Sequence, residues 1–246
     1  MALIAIVGGT GLTQLDGLEI QREEAFDTPF GSPSAKLSFG RLGDTEVVFL
    51  PRHGKGHKIP PHLINYRANI HALKAAGVTD VIAVNAVGSI NPAMPAEAIV
   101  VPHQIVDYTW GREFTFADHG NVIHVDFTYP YHETLRQGLL KAGKSSSITL
   151  HNGGVYAATQ GPRLETAAEI DRLDNDGCDL VGMTGMPEAG LAREAELNYA
   201  CLALVVNMAA GRSEGVITME QIEQALATGM ENVRRLLVEF LSNQSH

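Results

Sequence analysis

The run Leu3-Ile4-Ala5-Ile6-Val7, cut short by Gly8-Gly9-Thr10-Gly11, sets the reading of the whole chain. Five apolar residues stopped by glycines describe a buried strand that ends in a tight turn. The run is far too short to cross a membrane, and no basic segment precedes it as in a secretion signal. A strand that feeds a glycine-rich turn is also how many α/β proteins begin, with the turn holding a ligand beyond the strand's carboxyl end.

Outward from that start, strands and helices alternate. Thr45–Leu50 reads as a strand ending in Pro51-Arg52-His53-Gly54, and Tyr66–Ala76 as a helix stopped by Gly77. Val81–Val84 is a strand running into Asn85-Ala86-Val87-Gly88-Ser89. Ile99–Val101 and Gln104–Asp107 are further strand pieces, Glu133–Ala142 is an amphipathic helix, and Gly154–Ala158 is a strand that stops at Thr159-Gln160-Gly161-Pro162. Thr166–Asp174 reads as a helix, Leu180–Val181 as a short strand, Gly190–Glu196 as a helix and Cys201–Val206 as a central strand. Thr218–Phe240 reads as a long last helix with Thr218 as its N-cap. No Pro/Ser-rich linker interrupts this alternation. It predicts one α/β domain over residues 1–246: three layers, with a mixed, largely parallel central sheet flanked by helices.

Composition agrees and narrows the function. Of the 246 residues, 45% are hydrophobic and only 6% aromatic, which suits an α/β core better than a β-sandwich. The net charge of −10 argues against a nucleic-acid or anionic-membrane partner. Cys178 and Cys201 both sit in apolar contexts, so buried free thiols and a reducing, cytoplasmic location are expected.

The polar punctuation falls at strand ends, and each piece has a plain structural reading beside the functional one. Gly8–Gly11 can bring backbone N–H groups to an anion, with the Thr10 hydroxyl as a further donor, or can be a tight turn. It is not a dinucleotide fingerprint, because Gln14 stands where the third glycine is needed, and no Gly-Lys-Ser/Thr follows as in a Walker loop. Arg52 offers a two-pronged fork to phosphate and His53 a donor, or both lie in a basic surface loop. A metal held by His53, His57 and His62 is poorly supported: the spacing is not one helix face and no carboxylate is near. Thr184 can donate to phosphate and Met183 can wall a sugar, or they are a helix cap and a core residue. Glu165 can accept hydrogen bonds from a base, or simply sits at a helix N-terminus favoured by the dipole. Asn207, leaving a buried strand, is a base partner or a turn residue.

Taken in order, Val7-Gly8-Gly9-Thr10-Gly11-Leu12, Asp27-Thr28-Pro29-Phe30-Gly31, Arg52-His53-Gly54, Asn65-Tyr66-Arg67-Ala68-Asn69-Ile70, Gly88-Ser89, Gly161-Pro162-Arg163 and Met183-Thr184 with Pro187-Glu188 resemble the trimeric purine nucleoside phosphorylase family. The methylthioadenosine phosphorylase branch is the most similar. The resemblance covers nearly the whole chain. It implies phosphate binding by the positions matching Thr10, Arg52, His53, Ala86 and Thr184, with Met183 against the ribose. It also implies His124 offered to a neighbouring subunit's site near the 5′ group. A homotrimer, or a dimer of trimers, follows, with a purine nucleoside and phosphate as substrates and no metal or organic cofactor.

Two departures refine the substrate. Methylthioadenosine phosphorylases typically carry Ser after Gly-Pro-Arg-Phe and an Asp-x-Asp pair after the late apolar strand. This chain has Leu164-Glu165 and Asn207-Met208-Ala209. Glu165 can accept from the N1–H of a 6-oxopurine and Asn207 can meet its O6/N7 edge. Adenine, with a bare N1 acceptor, leaves that carboxylate unpaired at about 1–3 kcal/mol. Ordinary 6-oxopurine phosphorylases carry a His for the ribose 5′-hydroxyl, whereas the matching position here is Met219, with Ile222 on the same helix face. Met219 suits a thioether and would leave a hydroxyl without a partner. The expected substrate is therefore 5′-methylthioinosine. The rival readings are a methylthioadenosine phosphorylase, an inosine/guanosine phosphorylase and a non-catalytic nucleoside-binding protein; a nicotinamide-dependent oxidoreductase is the weakest.

Overall fold

A computed structural model describes residues 2–12, 17–118 and 120–244; Gln14, named above, lies outside them. In chain order the elements are β1 (Ile4–Gly8), β2 (Leu18–Glu24), β3 (Leu37–Leu42), β4 (Thr45–Pro51), α1 (Tyr66–Ala75), β5 (Asp80–Ser89), β6 (Ile99–Val101), β7 (Gln104–Asp107), α2 (Glu133–Ser145), β8 (Leu150–Asn152), β9 (Val155–Ala158), α3 (Ala167–Asn175), β10 (Leu180–Gly182), α4 (Glu188–Glu194), β11 (Asn198–Met208) and α5 (Met219–Ser242). They form one mixed sheet with helices on both faces, as the alternation predicted. β1 is buried throughout between β4 and β5, parallel to each. Apolar residues of α1 and α4 pack against one face, through Ile70, Leu73, Ala189 and Leu191. Those of α2 and α5 cover the other, through Leu139, Val233, Leu237 and Phe240.

The sheet differs from the sequence reading at its edge and in its middle. β2 and β3 form an antiparallel extension beside β4 that apolar patterning did not reveal. β2 reads Leu-Glu-Ile-Gln-Arg-Glu-Glu and is mostly exposed, so backbone pairing rather than side-chain burial holds it; its charges protect a free edge. β8 is a further short strand beside β6. β5 does not stop at Val84 but runs on to Ser89, and α4 begins at Glu188 rather than Gly190.

The length of β5 creates the site. β11 pairs with one edge of β5 from Asp80 to Ser89. On the other edge β1 pairs as far as Gly8 opposite Val84, and β10, running the opposite way, pairs from Val181 opposite Gly88. β1 and β10 thus meet head to head with Asn85, Ala86 and Val87 between them. The loops that leave them, Gly9-Thr10 and Met183-Thr184, open around that gap.

Candidate active site

The gap opens into a cavity of about 440 Å³, a size suited to a small organic ligand. Its wall includes Thr10, His53, Ala86, Glu165, Met183, Thr184, Asn207, Ala209, Met219 and Ile222. Ten of the twelve residues singled out from the sequence therefore share one cavity. Arg52 and His124 are the exceptions. His124 is exposed in the segment between β7 and α2 and does not reach the cavity of its own chain.

Arg52 sits one layer behind the wall. It is fully buried, and its Nε and Nη2 donate to Glu188 at 2.6 and 2.8 Å. Nη1 donates to the Val84 carbonyl at 3.2 Å, and Nη2 also reaches Asn85 Oδ1 at 3.2 Å. The fork that the sequence offered to phosphate is thus occupied by Glu188, itself buried and also bonded by the Tyr199 hydroxyl at 2.8 Å. Burial alone disfavours the Arg52 cation, but the Glu188 carboxylate more than offsets it and holds the pKa above its ordinary value. A Cβ at Gly9 would come within 3.0 Å of Arg52 Nη1, so that glycine lets the loop lie directly on the guanidinium. Arg52 supports the loop from behind, with its charge matched by Glu188.

His53 is buried in the wall, and its Nδ1 lies 2.8 Å from the Ile59 carbonyl. A carbonyl only accepts, so Nδ1 carries the proton. Burial, with Arg52 and His57 as lesser causes, lowers the His53 pKa to about 4 despite that bond. The imidazole is neutral near pH 7, and Nε2 is left with a lone pair. The donor role expected of His53 is thereby changed: its one donor hydrogen is spent on Ile59, and the other nitrogen can accept from a protonated phosphate oxygen or a hydroxyl.

Several plain structural readings are not what the chain does. Thr184 caps no helix: α4 has Pro187 as its N-cap, with no side-chain bond. Its hydroxyl oxygen instead accepts from Asn85 Nδ2 at 3.1 Å, which leaves the hydroxyl hydrogen for a ligand. Glu165 does not cap α3, where Thr166 and Glu169 form a reciprocal capping box. Its Oε1 accepts from the Thr159 hydroxyl at 2.7 Å. Asn207 is not in a turn: it lies in β11 just past a register shift between Val205 and Asn207, the kind of bulge that re-aims a side chain. Its Nδ2 donates to the Met208 carbonyl at 2.8 Å.

Leu164, Ile217, Met219 and Ile222 give the cavity an apolar part of its wall. Met219 opens α5 behind its N-cap Thr218 and is 64% exposed, so this part faces outward in a single chain.

Arg112 went unnoticed in the sequence. It is buried without a carboxylate partner among the described residues and donates to the carbonyls of Thr159, Gln160, Met183 and Met186, at 2.6 to 3.2 Å. It ties the loop after β9, which leads to Glu165, to the loop after β10, which carries Met183 and Thr184. A lone Arg in a Trp-Gly-Arg-Glu segment has no periodicity or motif to mark it. Among the described residues, no group of three or more His, Cys, Asp or Glu is placed to hold a metal, and no helix is long and apolar enough to cross a membrane.

One cavity with hydroxyl, imidazole, carboxylate and amide side chains in its wall thus opens where two strands meet head to head. The chain belongs to the phosphorylase superfamily, whose family model matches residues 3–242. It is 57% identical to a probable S-methyl-5′-thioinosine phosphorylase of Pseudomonas syringae pv. tomato, over 98% of this chain and 99% of that one. It is 46% identical to the 6-oxopurine nucleoside phosphorylase of Pyrococcus furiosus, over 97% and 91%. Methylthioadenosine phosphorylase from Schistosoma mansoni, solved in complex with adenine, superposes with a TM-score of 0.95 at 34% identity, covering 100% of this chain and 92% of that one.

Proposed function

We propose that the protein cleaves 5′-methylthioinosine with inorganic phosphate, releasing hypoxanthine and 5-methylthioribose 1-phosphate. The observation that carries this reading is one cavity whose wall joins Glu165 and Asn207 to Thr10, His53 and Thr184 and to the apolar Ile217, Met219 and Ile222. A 6-oxopurine satisfies the first pair, phosphate the second set, and a methylthio group the apolar part. The probable S-methyl-5′-thioinosine phosphorylases among its relatives, 50–57% identical in four strains of three bacterial species, support the same substrate.

The chemistry follows from the groups present. As the C1′–N9 bond stretches, its electron pair moves into the purine and the ribosyl ring gains positive charge. Phosphate held by Thr10, Thr184, neutral His53 and backbone amides near Ala86 stabilises that cation and then bonds to C1′ from the opposite face. The Arg52–Glu188 pair behind Gly9 holds the loop whose amides and Thr10 hydroxyl face the anion. Overall the proton of the hydrogenphosphate passes to the departing base, and with its Nδ2 turned to Met208, Asn207 can present Oδ1 to the N7–H that results. Glu165 accepts from N1–H, and Met183 packs on the ribose. Phosphate is a co-substrate, and these steps call for no metal or organic cofactor.

A homotrimer fits the same reading. Trp110, Phe114, Val122, Val125 and Tyr129 are exposed apolar residues along the segment that also carries His124. An apolar stretch of that extent suits burial against another copy, which would bring His124 toward the open Met219 side of a neighbour's cavity. Buried free Cys178 and Cys201 suit a cytoplasmic enzyme.

Phosphate-dependent turnover of methylthioinosine, methylthioadenosine and inosine, compared by kcat/KM, tests the proposal. Methylthioinosine should lead. Faster adenine release would overturn the base assignment, and equal use of inosine would overturn the role of Met219. Absence of any phosphate-dependent product would leave a nucleoside-binding protein. The paired change Glu165→Ser with Asn207→Asp should move preference toward methylthioadenosine.

A further inference from the structure

Glu165 stands on an irregular stretch between β9 and α3 and is only partly buried. A glutamate in that setting has three side-chain torsions free, and freezing them costs on the order of 1.5–2 kcal/mol. A mobile carboxylate is also a poor discriminator, because it can swing away from an unprotonated N1 and avoid the unfavourable contact. Something must hold it still for it to select a base.

Thr159 is built to do so. It follows β9 directly, and its main chain is fixed on both sides: its N–H donates to the Gly182 carbonyl at 2.8 Å and its own carbonyl accepts from Arg112 Nη2 at 3.2 Å. Its β-branched side chain is stiff about χ1. The hydroxyl hydrogen has two acceptors within reach, Glu165 Oε1 at 2.7 Å and the Gly182 carbonyl at 3.3 Å. The shorter, charge-assisted contact is the stronger one. Among the described residues no other hydrogen bond reaches the Glu165 carboxylate, so Oε1 is anchored and Oε2 is left free.

We infer that Thr159 is a positioning residue for base selection: it pins one oxygen of Glu165 so that the other meets N1–H of a 6-oxopurine and cannot retreat from the bare N1 of adenine. This role rests on Glu165 reading the base. It assigns to Thr159 a share of the specificity without contact with the substrate.

The test is the ratio of kcat/KM for methylthioinosine over methylthioadenosine, at saturating phosphate. That ratio does not depend on how much of a preparation is folded, so partial misfolding of a variant cannot mimic the effect. Wild type, Thr159→Val, Thr159→Ser, Glu165→Ala and the double variant Thr159→Val/Glu165→Ala are compared. Thr159→Val should lower the ratio by about tenfold, the size of one hydrogen bond to a charged group. Thr159→Ser, which keeps the hydroxyl, should restore it to within about threefold of wild type. In the Glu165→Ala background, adding Thr159→Val should change nothing further, because the two act as one unit. A Glu165→Ala collapse with no change in Thr159→Val overturns the positioning role alone. A Thr159→Ser ratio as low as that of Thr159→Val also overturns it, by assigning the loss to packing. If Glu165→Ala leaves the ratio unchanged, the base-reading assignment falls and the role of Thr159 falls with it.

Discussion

Replacing Glu188 by Gln should be among the most damaging single changes outside the cavity wall. Glu188 is completely buried, and its two oxygens take bonds from Arg52 Nε, Arg52 Nη2 and the Tyr199 hydroxyl. Glutamine keeps the shape, removes the charge and turns an N–H₂ donor toward one of these three donors. Arg52, completely buried, would then be a cation without its counter-charge. Removing one partner of such a pair costs about 3–5 kcal/mol, a large part of the roughly 5–15 kcal/mol that holds a domain folded. For a chain of this size that corresponds to a fall in melting temperature of about 6–20 °C. The same change should raise the KM for phosphate, because the guanidinium that supports Gly9 loses its anchor. Scanning calorimetry and phosphate-dependent kinetics, at one fixed protein concentration, measure both effects. The double change Arg52→Met with Glu188→Leu should recover most of the stability without recovering phosphate use, since no buried charge is then left unpaired. A Glu188→Gln melting temperature within about 2 °C of wild type would refute the reasoning that the ion pair is a buried, mutually dependent unit.

Three further outcomes are expected. His53 has a folded pKa of about 4 against the ordinary 6.5, so the unfolded chain binds its proton first as pH falls. The stability linked to neutral His53 is complete above pH 6.5 and is lost between about pH 6.5 and 4, by up to about 3 kcal/mol. A His53→Gln variant should therefore show a shallower loss of urea stability over that window. An unchanged slope would mean that His53 titrates at the same pH folded and unfolded, against the lowered folded value. Met219→His places a donor in the apolar part and should raise the inosine-to-methylthioinosine ratio of kcat/KM by about tenfold, with little effect on melting because the site is exposed. Arg112→Met leaves several carbonyls without their donor and should cost at least about 3 kcal/mol, while raising KM for nucleoside and phosphate together. A change in only one KM would show that the two loops are not held as a unit.

The sequence determined the layered α/β arrangement and most of the site's membership. Apolar runs such as Leu3–Val7 and Cys201–Val206 mark buried strands because burial on both faces demands unbroken hydrophobicity, and a cap such as Thr218 marks a helix start because the first amides need acceptors. Glycine, hydroxyl and amide residues at strand ends signalled ligand chemistry because loops there are free of packing demands. β2 escaped notice because backbone pairing holds it and its side chains face solvent. Arg112 escaped because its partners are backbone carbonyls, which carry no side-chain signature.

Only the tertiary structure decided how these residues divide the work. Nothing local shows that β1 and β10 meet head to head along β5, since strand direction and register are set by pairing partners distant in the chain. Nor does local sequence show that Arg52 is committed to Glu188, 136 residues later, that His53 spends its proton on Ile59, or that Thr159 anchors Glu165. The opening glycine loop illustrates the division. Its composition left an anion site and a tight turn both open, and only the fold shows that a buried Arg52–Glu188 pair lies directly behind it. A side chain's donor or acceptor state depends on which partner burial leaves within about 3 Å, and that is a property of the folded chain alone.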